Sequence, residues 1–145
     1  PDHAQIAASA GMADYIDSLA AHHGLNGDGT VRGAGVHDLM RAHEEALLQP
    51  LLDYVTAKNS VRLIGPSDAA TRAPTVALAS QRKAEDLATR LAEHGVMAGG
   101  GDFYAIRALE GMGVDMDKGV LRLSFTHYTS KGEMDQLLNA LDEVL

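Results

Sequence analysis

One stretch near the end of the chain, GVLRLSFTHYTS from Gly119 to Ser130, holds a side chain suited to chemistry. Leu121, Leu123 and Phe125 alternate with period two, as a half-buried strand does, and Arg122 sits between them on the opposite face with Val120 and Ser124. A guanidinium is a planar fork with five donors, and it can grip a carboxylate through two parallel hydrogen bonds. Fixed on a strand, it would be rigid enough to orient a small acid. An arginine in a strand is also an ordinary water-facing residue. The residue types alone leave both readings open. The surroundings sharpen the question, because His127 and Tyr128 follow the strand and a glycine turn with Tyr104 lies one strand earlier.

Other constellations carry less. LNGDGTVRG has Asn26, Asp28 and Gly29 at calcium-loop spacing. Placing Gly29 in the glycine slot of an EF-hand, however, puts Gly24 and Gly35 where the first acid and the bidentate glutamate belong, so a flexible turn is expected. Seven histidines include no i, i+4 pair of the kind a zinc helix uses; His22 and His23 are adjacent, and His37 and His43 are six apart. AGGGD, Ala98 to Asp102, resembles a phosphate cradle, but Asp102 at its end would repel an anion. A tight strand-to-helix turn is the better reading, with bare backbone that another group can approach closely. Cysteine is absent, which removes disulfides, thiolate metal sites and thiol nucleophiles from this chain.

The elements that must position these residues follow from periodicity. Ile6, Ala10, Ala13, Ile16 and Leu19 predict one helix over His3 to His22, and a second covers about Gly35 to Ala57 with a kink or break at Pro50. VRLIG (Val61 to Gly65) and TVALAS (Thr75 to Ser80) read as strands on either side of a loop. A helix over Gln81 to His94, a short strand into the glycine turn, and a helix over Phe103 to Met112 capped by Asp102 come next. The Arg122 strand and a helix from about Lys131 to Leu145 close the order. This predicts an α+β fold, a small and largely antiparallel sheet of about four strands with helices packed on it, preceded by N-terminal helices. With 145 residues, 46% hydrophobic and 22% charged, the chain suits a folded domain, and no apolar run approaches the ~20 residues that span a bilayer. A net charge of -8 argues against nucleic acid as a partner, and a cytoplasmic location is the expectation.

The motifs TRAPTVAL (Thr71 to Leu78), GGGDFYAIRALEGMGV (Gly99 to Val114) and GVLRLSFTHYTSKGEMDQLLNALDEVL (Gly119 to Leu145) together resemble the C-terminal part of class V aminotransferases. These are pyridoxal-phosphate enzymes of fold type I, and the cysteine-desulfurase-like branch is the most similar. That branch ends in a pattern of Arg, Ser or Gly, His-Tyr-Asn-Thr and Glu-Glu-hydrophobic-Asp. Here the matching letters are Arg122, Ser124, His127, Tyr128, Glu133, Met134 and Asp135, with Thr129 and Ser130 in place of Asn-Thr. The resemblance implies that Arg122 holds the substrate's α-carboxylate; Tyr104 and His127 are candidates for the pocket lining, with His127 equally readable as a turn residue capping the strand end. Tyr104 falls where the desulfurases keep their nucleophilic cysteine, so transamination, or a related lyase or epimerase reaction, is implied rather than sulfur release. It further implies that the Schiff-base lysine and a phosphate-binding glycine-threonine pair lie upstream of Pro1. Residues 1–30 would then be the end of a large domain and 31–145 a small domain, in a fragment inactive by itself with no cofactor bound. A homodimer acting on an amino acid or keto acid is the implied assembly. The competing reading is a stand-alone α+β module that binds an acidic metabolite or a protein partner without catalysis.

Overall fold

The structure is a computed structural model that describes residues 2–145. It divides into two compact units, one reaching to His43 and one from Glu44 to Leu145.

The first unit contains α1 (His3–Ala8), α2 (Ala10–His22) and the beginning of α3 (Gly29–Thr56). Where apolar spacing predicts one helix over His3 to His22, the structure has two that meet at Ser9. The Ser9 hydroxyl donates to the Ile6 carbonyl at 2.6 Å, a local bond that competes with the helix ladder. Asp2 caps α1 by accepting from the Ala4 and Gln5 amides. The turn expected over LNGDGTVRG is shorter than predicted, because the Asp28 carboxylate accepts from Thr30 and Val31 at 2.9 and 3.0 Å and starts α3 at Gly29. Arg32 joins α3 to α2 through Asp17 at 2.8 Å. Of the kink or break expected at Pro50, the break does not occur, and the helix runs on to Thr56. Proline there removes one donor, the one that the Ala46 carbonyl would otherwise receive.

The second unit is built on a four-stranded antiparallel sheet in the order β1 (Val61–Ile64), β2 (Thr75–Ser80), β4 (Val120–Ser124), β3 (Gly99–Gly101). The last strand in sequence is therefore an interior strand, paired on both sides. Three helices accompany the sheet: α4 (Ala84–Glu93), α5 (Ile106–Gly111) and α6 (Lys131–Val144). The predicted start of α4 at Gln81 is late by three residues in the structure. Ser80 exchanges hydrogen bonds with both the amide and the carbonyl of Arg82, which holds that segment in a turn.

The two sheet faces differ. On one, Val76, Leu78, Leu121 and Leu123 pack into a continuous cluster with Leu48, Leu51, Leu52 and Val55 of α3 and with the apolar sides of α4 and α6. On the other, Ile64 and Val120 join Leu109 and Val114 in a smaller cluster at one end only. Polar contacts fasten α6 at both ends. Ser130 and Glu133 form a capping box at its start. Near its end, Asp142 accepts from Tyr54 and Lys58 at 2.7 and 2.6 Å, while Arg82 and Arg90 donate to the Val144 carbonyl.

Candidate functional site

Arg122 lies in the middle of β4, paired with Ala77 of β2 on one side and with Gly99 of β3 on the other. The alternation expected from sequence holds for Leu121 and Leu123, which are buried, and for Arg122 and Ser124, which are exposed. Val120 departs from it. It shares the face of Arg122 but is buried, because the small cluster beneath α5 covers that end of the strand. The remaining part of the face is polar, with Thr75 and Ser124 in hydrogen-bond contact at 3.3 Å across β2 and β4.

The guanidinium does not float in solvent. Its central carbon stands 4.0 Å from the centroid of the Phe103 ring, a cation–π stack. Gly99 provides the room, since a Cβ on that residue would stand 3.0 Å from two Phe103 ring carbons. Gly100 serves a different neighbour: a Cβ there would lie 2.3 Å from the Ala84 backbone carbon, so α4 can begin only against a bare glycine. The close approach expected for the glycine run is thus made twice, once by an aromatic ring and once by a helix start.

Phe103 and Tyr104 have φ of 51° and 61°, a left-handed conformation uncommon for residues with side chains. Asp102 supports it. Its carboxylate accepts from the Tyr104 amide at 2.8 Å and its carbonyl accepts from Ala105 at 2.9 Å. Asp102 was expected to cap a helix starting at Phe103. Instead the helix α5 starts at Ile106 with Ala105 at its cap position, and Asp102 holds the turn that carries the ring.

Tyr104 follows the stacked phenylalanine directly and is fully exposed. His127 is half-buried in the loop beyond β4, where its ring meets that of Tyr128 edge-on at 5.2 Å. The structure therefore brings Arg122 together with Phe103, beside Tyr104 in the chain, while His127 forms a ring pair with Tyr128. A cleft of about 350 Å³ lined by Val96, Phe125, Tyr128, Met134 and Leu137 has none of Arg122, Tyr104 or His127 in its wall. Among the described residues no group of three or more His, Cys, Asp or Glu is placed to hold a metal.

Phe103 is the site residue that periodicity does not reveal. The available signal is one of only two phenylalanines in the chain, placed just after a triple glycine.

The donors of Arg122 are unclaimed, with no hydrogen bond or ion pair to any described residue. Five other arginines differ. Arg72 donates to the carbonyls of Pro66, Ile64 and Thr75, and burial lowers its pKa. Arg32, Arg62, Arg82 and Arg90 each donate to a carboxylate or a backbone carbonyl. The contact shown for the Arg122 guanidinium is with a ring face, which uses none of its N–H donors.

Comparison with known proteins bears on this arrangement. The profile of the class-V aminotransferase family matches residues 33–137. An aminotransferase-like protein of Gibberella zeae is 30% identical over 143 residues, which are 96% of this chain and 34% of that protein. A probable cysteine desulfurase of Halobacterium salinarum is 32% identical over 106 residues, 73% of this chain and 25% of its own length. Among solved structures, a cysteine desulfurase of Thermococcus onnurineus superposes with a TM-score of 0.65 at 21% identity, over 79% of this chain and 30% of that one. A cysteine desulfurase of Escherichia coli gives 0.60 at 23% identity, over 80% and 29%. At such identities the structures speak for the fold alone. The chain spans about a third or less of these relatives' lengths. With most of its residues inside the family's profile, this chain belongs to the class-V aminotransferase family.

Proposed function

We propose that this chain is the substrate-binding, C-terminal portion of a pyridoxal-phosphate-dependent aminotransferase, and that Arg122 binds the α-carboxylate of its amino-acid or keto-acid substrate. The observation that carries this reading is an arginine on an interior strand whose guanidinium stands over an aromatic ring while its donors bond no described residue. A planar carboxylate fits such a fork with two parallel bonds.

The residues present fit the substrate side of the site rather than the cofactor's own cradle. Lys58 is paired with Asp142 at 2.6 Å and Lys118 with Asp115 at 3.2 Å, while Lys83 and Lys131 stand at the starts of α4 and α6. In this reading the imine-forming lysine and the phosphate site belong to the part of the enzyme that precedes this chain, and the fragment alone is inactive. When bound there, pyridoxal phosphate supplies the electron sink that makes chemistry at the α-carbon accessible. The contribution of this chain is orientation, fixing the acid end so that the α-carbon has one position relative to the sink. Tyr104 and His127 line the same pocket in the assembled enzyme, which acts as a cytoplasmic homodimer.

The total absence of cysteine favours transamination over sulfur release by a cysteine of this chain, with Tyr104 at the position where desulfurases keep their nucleophile. The test is Arg122→Lys in the intact enzyme. Replacing a bidentate fork by a point charge should raise the half-saturation concentration for the amino acid by about tenfold or more, with a smaller change in kcat. An unchanged half-saturation concentration removes Arg122 from the site.

A further inference from the structure

An arginine with no hydrogen-bond partner has many rotamers, and a carboxylate that binds it must first restrict them. Arg122 avoids that cost through a specific device. Its central guanidinium carbon stands over the Phe103 ring, 4.0 Å from the centroid, and that ring in turn lies against Gly99, the cross-strand partner of Arg122. Stacking uses the face of the guanidinium and bidentate binding uses its edge, so the platform orders the group without consuming a donor. The side opposite is equally permissive, because the partner there is the small Ala77. The platform is built at a local expense: Phe103 adopts a φ of 51°, and Asp102 must hold the following amide to keep the turn.

We propose that Phe103 is a positioning residue for the carboxylate-binding arginine, an aromatic seat that presets the Arg122 fork before substrate arrives. The inference rests on the reading of Arg122 as the carboxylate binder, and it predicts a selectivity in which affinity depends on a residue that makes no bond to the substrate. Gly99 belongs to the same device, since any side chain there displaces the ring.

Three variants separate this proposal from the reading beneath it. Phe103→Gly removes the ring while suiting the left-handed backbone, so the turn itself is not penalised. In the intact enzyme it should raise the half-saturation concentration of the amino acid about 2- to 5-fold, the size of an exposed cation–π contact, with kcat nearly unchanged. Gly99→Ala should shift it in the same direction by less, and Phe103→Tyr, which keeps an aromatic face, should restore the original value. If Phe103→Gly leaves half-saturation unchanged while Arg122→Lys raises it, the platform is overturned and the carboxylate reading stands. If neither variant changes it, both fall. A structural readout on the 145-residue chain completes the test. The Arg122 Nε–H resonance should be shifted upfield by the ring current, lose that shift in Phe103→Gly and keep it in Phe103→Tyr. A resonance at the ordinary arginine position in the unmodified chain overturns the proposal directly.

Discussion

The two faces of the sheet in the Glu44–Leu145 unit are made by the same four strands and obey opposite rules. On the face under α3, α4 and α6, the central cross-strand pairs are apolar, Leu63 with Leu78, Leu78 with Leu121 and Val76 with Leu123, and the polar Ser80 opposite Val61 comes only at the end of β2. On the other face, the row through Arg122 reads Ile64, Ala77, Arg122, Gly99, passing from a buried apolar residue to a bare backbone across four strands. The small cluster of Leu109 and Val114 covers its beginning and reaches Ala77, while its other end carries the Phe103 ring. The difference teaches where a charged group can be tolerated with its donors unpaired. A guanidinium buried under the helices would need protein oxygens for its donors, as the terminal NH groups of Arg72 find in three carbonyls. Where the second layer stops short, Arg122 can keep them for a ligand.

The sharpest way to break the comparison is at Leu121 and Arg122, adjacent residues on opposite faces. Leu121 is fully buried in the main cluster. Leu121→Ala should cost about 2–5 kcal/mol of unfolding free energy, through lost burial and the cavity left behind. Urea denaturation of the chain, followed by far-ultraviolet circular dichroism, measures it. A loss below about 1 kcal/mol would mean that the helices do not close on this face as tightly as the geometry indicates.

Much of this division was legible from sequence, and the reasons are local. Period-two alternation in Leu121, Leu123 and Phe125 is set by the strand itself, so it predicted both the strand and the placing of Arg122 on the face opposite the buried leucines. The i, i+3, i+4 spacing of Leu87 and Leu91 in α4, and of Met134, Leu137 and Leu141 in α6, reported faces that are in fact buried. What failed to show was whatever depends on one side chain bonding a nearby backbone group. Ser9 splits the first helix, Asp28 starts α3 early, Ser80 delays α4, and Asp102 builds a turn rather than a cap. The burial of Val120 and the Phe103 seat were hidden for another reason. Both arise from tertiary contact between β4 and the segment that follows β3, and no periodicity in either segment encodes it.

A second way to sharpen the comparison acts on the fastening of the covered face. The amide of Ser130 donates to the Glu133 carboxylate at 2.7 Å, and the hydroxyl of Ser130 donates to the same oxygen at 2.7 Å. The backbone bond first, and the hydroxyl bond second, hold the Glu133 carboxyl below its ordinary pKa. A carboxylate whose pKa is depressed by folding stabilises the fold above its unfolded pKa, and that contribution disappears as pH falls through the folded value. Ser130→Ala should therefore destabilise the chain by about 1 kcal/mol near neutral pH through loss of the cap. The gap between variant and parent should narrow in acid, where Glu133 is protonated in both. Urea midpoints at neutral and strongly acidic pH decide it. A gap that stays constant would show that the Ser130 hydroxyl contributes nothing to holding the Glu133 carboxylate.

The smallest expected effect on stability is also the most telling. The Arg122 side chain makes no hydrogen bond or ion pair with a described residue, and its guanidinium stands over the Phe103 ring. Arg122→Ala should then change unfolding free energy by no more than about 0.5–1 kcal/mol, the range of an exposed cation–π contact. Under the proposed function, binding of the substrate carboxylate by the intact enzyme should suffer far more from the same substitution. That asymmetry is what separates a side chain kept for a ligand from one kept for the fold. Were Arg122→Ala to cost as much stability as Leu121→Ala, the guanidinium would be a structural strut, and the polar end of this face would be a second wall of the core rather than an opening onto a substrate.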